Sequence, residues 1–139
     1  MKIVINRCFG GFGLSPIAIK EYLKLKGKEC FFYKQTKYNI NDGTEEYSRI
    51  DNPKNQMSVH PYTKDLGEKT NCFEYNEYYF HVRDIERNDQ DLISVVEELG
   101  ESASGWAANL QVIEIPDDVD WEISDYDGLE SVEEKHRSW

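Results

Sequence analysis

The sequence predicts an α+β fold, a mixed arrangement with a central sheet of about five strands and about three helices, on three observations. A β-branched run at residues 2–7 leads through a glycine cluster into a capped helix and a second strand, which makes a β–glycine loop–α–β unit of parallel type. Apolar residues recur at helical spacing in residues 89–99. Short alternating runs separated by turn residues fill much of the rest. A chain of 139 residues fits one domain, 1–139, with a core that holds without staples.

The elements follow in order. "KIVINR" at 2–7 is a short strand bounded by glycines. Ser15-Pro16 starts a helix by two devices: a serine that accepts from a free backbone N–H, and a proline where no N–H is needed. Ala18, Ile19, Tyr22, Leu23 and Leu25 cover one broad face, and Gly27 closes the helix. Residues 29–34 form the next strand. Residues 35–70 carry turn signals, Asn41-Asp42-Gly43, Asp51-Asn52-Pro53 and His60-Pro61, between stretches too polar for a core, and read as a long polar excursion or flap.

"NCFEYNEYYFHVR" at 71–83 alternates with aromatics on both faces, Phe73, Tyr75, Tyr79 and His81 against Tyr78, Phe80 and Val82, and predicts a long inner strand. Residues 89–99 are a helix with acidic residues at its positive end and Gly100 at its stop. Residues 111–115 are a strand ended by Pro116, and 120–124 another, paired with it or continuing the sheet. After Asp127-Gly128 the spacing of Leu129, Val132, His136 and Trp139 predicts a last short helix.

Charge narrows the function classes. The total is −11, but residues 1–40 hold eight Lys/Arg against two Asp/Glu, whereas residues 84–139 hold three against seventeen. The first segment attracts a phosphorylated ligand, and the last repels duplex nucleic acid. An acidic surface of this kind either keeps the chain in solution or meets a basic partner. No apolar run reaches the roughly 18–20 residues that span a bilayer, and the apolar start is too short for a signal peptide, so the expectation is a cytoplasmic protein with no membrane partner. Cys8, Cys30 and Cys72 show no paired spacing and call for neither a disulfide nor zinc.

The candidate site is the stretch "NRCFGGFGLS". Backbone N–H groups of a glycine-rich turn ahead of a helix N-terminus suit an anion, which nominates Asn6, Arg7, Gly10, Gly11, Gly13 and Ser15. The spacing G-G-x-G matches neither of the common phosphate-loop patterns. The competing explanation is a tight bend that turns Phe9 and Phe12 inward. Arg83 and Arg87 supply forked donors for phosphate oxygens unless they pair with Asp84, Asp89 or Asp91. Phe9, Phe12, Trp106 and Tyr126 offer faces on which a base stacks, although a core role explains an aromatic as well. No histidine pattern and no serine elbow points to catalysis, and no metal or cofactor is implied.

"MKIVINRCFGGFGLS", "RDIERNDQDLISVVEELG" and "EIPDDVDWEISDYDGLESVEEKHRSW" resemble three blocks of small proteins encoded by tailed phages and by prophages, a family with no assigned catalytic residue. The similarity leaves residues 35–70 unmatched. It implies a phage accessory protein acting in the host cytoplasm. Such proteins counter host immunity by sequestering a nucleotide signal, as Thoeris anti-defence sponges do, or by blocking a defence protein, as anti-CRISPR proteins do; this is an analogy of lifestyle. Three readings result: a binder of a small phosphorylated nucleotide, cyclic or derived from ADP-ribose; an acidic inhibitor of a host defence protein acting through Asp117, Asp118 and Asp120, in the manner of a DNA mimic; and a nucleotide-cleaving enzyme. A chain this small that encloses a nucleotide often borrows residues from a symmetry mate, which keeps a homo-oligomer open.

Overall fold

A computed structural model describes residues 1–56, 59–71 and 77–134. Two α-helices and eight strands follow one another as β1 (Lys2–Asn6), α1 (Pro16–Leu25), β2 (Phe31–Tyr38), β3 (Glu45–Ile50), β4 (Val59–Tyr62), β5 (Lys69–Thr70), α2 (Gln90–Leu99), β6 (Leu110–Glu114), β7 (Trp121–Tyr126) and β8 (Leu129–Glu134). The class is α+β. Three separate antiparallel sheets replace the single mixed sheet expected: β1 with β6, β4-β2-β3-β5, and β7 with β8. Among the described residues, two α-helices and two short 3-10 turns stand where three helices were expected.

The first strand and helix form where the sequence placed them. Ser15 caps α1, its hydroxyl oxygen accepting from the Ala18 N–H, and Pro16 opens the helix. The second strand does not return beside the first. β1 pairs with β6 in antiparallel register, Ile3 opposite Ile113 and Ile5 opposite Gln111, while β2 lies between β3 and β4. A helix and two strands within the length of a parallel unit leave the partner of each strand undetermined, and here β1 takes a distant strand while β2 pairs with strands that follow it.

Residues 35–70, expected as an excursion or flap, hold half of β2 together with β3, β4 and β5. Adjacent residues of β2 face opposite ways: Phe32 joins the main core, and Tyr33 joins Tyr47 and Tyr62 in a second, aromatic core. The Tyr33 hydroxyl donates to the Gly67 carbonyl at 2.7 Å and accepts from the Leu66 N–H at 2.9 Å, so the buried phenol is satisfied. Of the expected inner strand at 71–83, residues 72–76 lie outside the described part, with Cys72, Phe73 and Tyr75 among them. The described remainder is no long strand. Residues 77–78 turn, Tyr79 bridges to Tyr62, and Val82–Asp84 close a 3-10 turn.

The main core joins both helices to β1, with Val4, Ala18, Leu23, Leu92 and Val95 essentially buried. Asp89 caps α2 by accepting from the N–H groups of Asp91 and Leu92, and it also accepts from Tyr22 and pairs with Lys26, which fastens the end of α1 to the start of α2. Burial and the Asp89 carboxylate together push the Tyr22 hydroxyl up to about 12.

The C-terminal expectation is corrected as well. Asp127 and Gly128 both have positive φ, 51° and 91°, the signature of a two-residue hairpin turn, and they join β7 to β8 in place of a helix. β7 therefore pairs with β8 and not with β6. His136 and Trp139 lie outside the described residues.

Candidate functional site

The glycine loop, residues 8–14, runs from the end of β1 to the cap of α1 and is gripped from two sides. A Cβ on Gly10 would lie 1.9 Å from the Ala107 carbonyl oxygen, and one on Gly128 would lie 2.5 Å from the Gly11 nitrogen. Backbone passes backbone at both places, so no side chain fits at either residue. Asn6, fully buried, ties the crossing together: its amide donates to the carbonyls of Cys8 and Gly128, and its oxygen accepts from the Asn109 N–H. Close packing thus explains Gly10 in the loop and Gly128 opposite it.

Two cavities open on either side of this loop, one of about 750 Å³ and one of about 330 Å³, and Gly10, Gly11, Phe12 and Arg83 line both. The larger continues past Gly13, Pro16 and Tyr79 to Trp106, and reaches Asn55 and Gln56 on the far side. The Asn55 amide donates to the Ser104 carbonyl at 2.9 Å, which holds that far wall to the turn before β6. A chain of edge-to-face rings, Tyr33 on Tyr62 and Tyr62 on Tyr79 at 5.3 Å each, continues at 4.7 Å to His81 and connects the aromatic core to the wall of the larger cavity.

Arg83 is exposed, and among the described residues it makes no hydrogen bond or ion pair. Its Nη2 lies 3.7 Å from where a Gly11 Cβ would be. Gly11 has a φ of 97°, and the bare loop leaves room for the guanidinium. Arg87 differs. It forms a bidentate pair with Glu130 at 2.5 and 2.8 Å and stacks over the Phe12 ring at 3.6 Å. Glu130 is 3% exposed and also accepts from the Asn6 N–H. The partner of Arg87 is therefore none of the aspartates nearby in sequence. With both its lobes occupied, Glu130 neutralises Arg87.

No family model, no curated protein and no solved structure matches this chain.

The remaining predicted residues divide. Phe12 is buried in the core, Ser15 is committed to its cap and to the Ser102 carbonyl, and Arg7 is exposed with one hydrogen bond to the Glu130 carbonyl. Phe9, Trp106 and Tyr126 are 60%, 57% and 76% exposed. Trp106 lines the larger cavity, and Phe9 lines the smaller one and meets Tyr126 edge-to-face at 6.5 Å. Sequence reasoning missed Glu130, Asn55, Gln56 and His81. The Asp-Gly turn is a hairpin signal that would have put Glu130 on a strand folded back over the loop; nothing local marks Asn55 or Gln56. Among the described residues no group of three His, Cys, Asp or Glu side chains is gathered as metal ligands, and no helix is long and apolar enough to cross a membrane.

Proposed function

We propose that this chain is a non-catalytic binder of a small phosphorylated nucleotide, a phage accessory protein that sequesters an immune signal in the host cytoplasm. The observation that carries the reading is Arg83, a guanidinium with no partner among the described residues, set against Gly11 at the mouth of a nucleotide-sized cleft. Cavities of about 300–1,000 Å³ are usual for small-molecule sites. Trp106 offers a stacking face, and the Gln56 amide offers both donor and acceptor to a base edge. The phage setting rests on the resemblance of the three sequence blocks.

Calorimetry with a panel of cyclic, ADP-ribose-type and linear nucleotides is expected to show binding, at least tenfold weaker in Arg83→Ala. No heat across the panel overturns the proposal. Recovery of intact ligand after denaturation separates a binder from a nucleotide-cleaving enzyme, and native mass spectrometry of the purified protein reports a co-purified nucleotide and the subunit number.

A second reading, inhibition of a host defence protein, is favoured by one observation. Glu122 and Glu133 stand opposite each other in the β7–β8 hairpin, a like-charge pair that a basic partner would relieve. Charge reversal at Asp117, Asp118 and Asp120, or at Glu122, is expected to release such a partner in pull-down. Retention by the reversed proteins rejects that reading.

A further inference from the structure

We infer that the larger cleft selects a nucleotide with one phosphodiester charge, of the 3′,5′-cyclic mononucleotide class, and discriminates against polyphosphates. The inference rests on the nucleotide-binding reading above and narrows it.

The argument is one of charge. Arg83 is the sole Lys or Arg side chain that lines the larger cleft among the described residues, and the exposed carboxylate of Asp84 stands beside it in the chain. Neither side chain has a partner among the described residues, so the pair brings one cation and one anion to the cleft. Tyr79 and His81 are the other titratable groups that line the cleft. Of the other arginines near the loop, Arg87 is cancelled by its bidentate pair with Glu130, and Arg7 lines neither cavity. Beyond the loop the smaller cavity presents Asp125 and Asp127 beside the mutually cancelling Arg87 and Glu130, so phosphates extending past Arg83 in that direction meet carboxylates. A triphosphate brings three to four negative charges to a site that offers one free guanidinium, and the surplus is repelled. A phosphodiester monoanion is matched one to one, leaving its sugar and base to Trp106 and Gln56.

The test is calorimetry with the four 3′,5′-cyclic mononucleotides and the four 5′-triphosphates, in magnesium-free buffer, on the wild type, Arg83→Ala and Asp84→Asn. Both substitutions are at exposed side chains without partners among the described residues, and a thermal melt checks that each variant folds as the wild type does. One or more cyclic nucleotides are expected to bind at least tenfold more tightly than any triphosphate. Arg83→Ala is expected to lose that binding, and Asp84→Asn to raise triphosphate affinity several-fold. A triphosphate that binds as tightly as the cyclic form, with loss in Arg83→Ala, overturns the charge selection while leaving the nucleotide reading intact. An Asp84→Asn variant with unchanged preference overturns the electrostatic explanation. No binding by any of the eight overturns the selection of a cyclic mononucleotide, and no heat from ADP-ribose-type nucleotides either overturns the nucleotide reading.

Discussion

Replacing Glu130 with alanine is expected to be among the most damaging single changes outside the apolar core. Its two oxygens hold both Nη atoms of Arg87, at 2.5 and 2.8 Å, and one of them also accepts from the Asn6 N–H at 2.8 Å. The side chains are 4% and 15% exposed, so water does not replace what is lost. Leaving one half of a buried pair uncompensated costs about 3–5 kcal/mol. Stranding a buried N–H costs about 1–3 kcal/mol more where water cannot reach it. We expect a loss of about 4 kcal/mol, a large share of the 5–15 kcal/mol that a domain of this size has in total. Glu130→Gln keeps one acceptor and is expected to lose about 1.5–3 kcal/mol. In the double variant Arg87→Met, Glu130→Leu no charge is stranded, and most of the stability is expected to return. Urea unfolding followed by tryptophan fluorescence measures all three. A loss below about 1 kcal/mol for Glu130→Ala would refute the reasoning, since it would mean that the pair is hydrated and Arg87 is free.

Three further expectations follow from the packing. Gly10→Ala puts a methyl group 1.9 Å from the Ala107 carbonyl and is expected to lower stability by at least about 2 kcal/mol, whereas Gly13→Ala, with nothing within 4 Å of its Cβ, is expected to be nearly neutral; equal melting temperatures for the two variants would reject the close approach. Burial works to raise the Asp89 carboxyl, but Lys26, the Leu92 and Asp91 N–H groups and Tyr22 together hold it below its ordinary value. A depressed carboxyl contributes stability that is complete above its unfolded value near about pH 4 and is lost as pH falls through the folded value. The stability difference between wild type and Asp89→Asn is therefore expected to be constant from neutral pH down to about 4 and to shrink below it; a difference that does not change on acidification rejects the role of the charge. Burial pushes the Cys30 thiol up to about 12, so iodoacetamide at about pH 8 is expected to leave Cys30 unlabelled in the native protein and to label it in urea, as peptide mass mapping will show.

What was legible in the sequence was whatever is decided within a few residues. Ser15-Pro16, Asp89 and Gly100 bound their helices because caps act locally, and β1 and β6 formed where β-branched runs ended at glycine, asparagine or proline. Strand pairing was not legible, because it depends on which distant edges meet. The four-stranded sheet was hidden by its own chemistry. Tyr33, Tyr47 and Tyr62 lie far apart in sequence among charged residues, and their phenol groups build a core that reads as polar. The C-terminal hairpin was misread because apolar residues at 129 and 132 fit helical spacing, while the Asp-Gly turn carried the stronger signal. At the candidate site the loop itself was visible; the Ala107 carbonyl that demands Gly10 and the Glu130 carboxylate that removes Arg87 from service were not.

The grip of the β7–β8 turn on the glycine loop also sets an order of assembly. Asn6 meets Glu130 at a separation of 124 residues, and Gly128, where a side chain would strike the Gly11 nitrogen, lies against the loop. Contacts so distant in sequence form late, because the entropy of closing the loop is lost before any contact rewards it. During synthesis β1 and the loop emerge first and remain half-covered until the hairpin docks. The mouth of the cleft, with Arg83 against Gly11, thus depends on contacts that span most of the sequence.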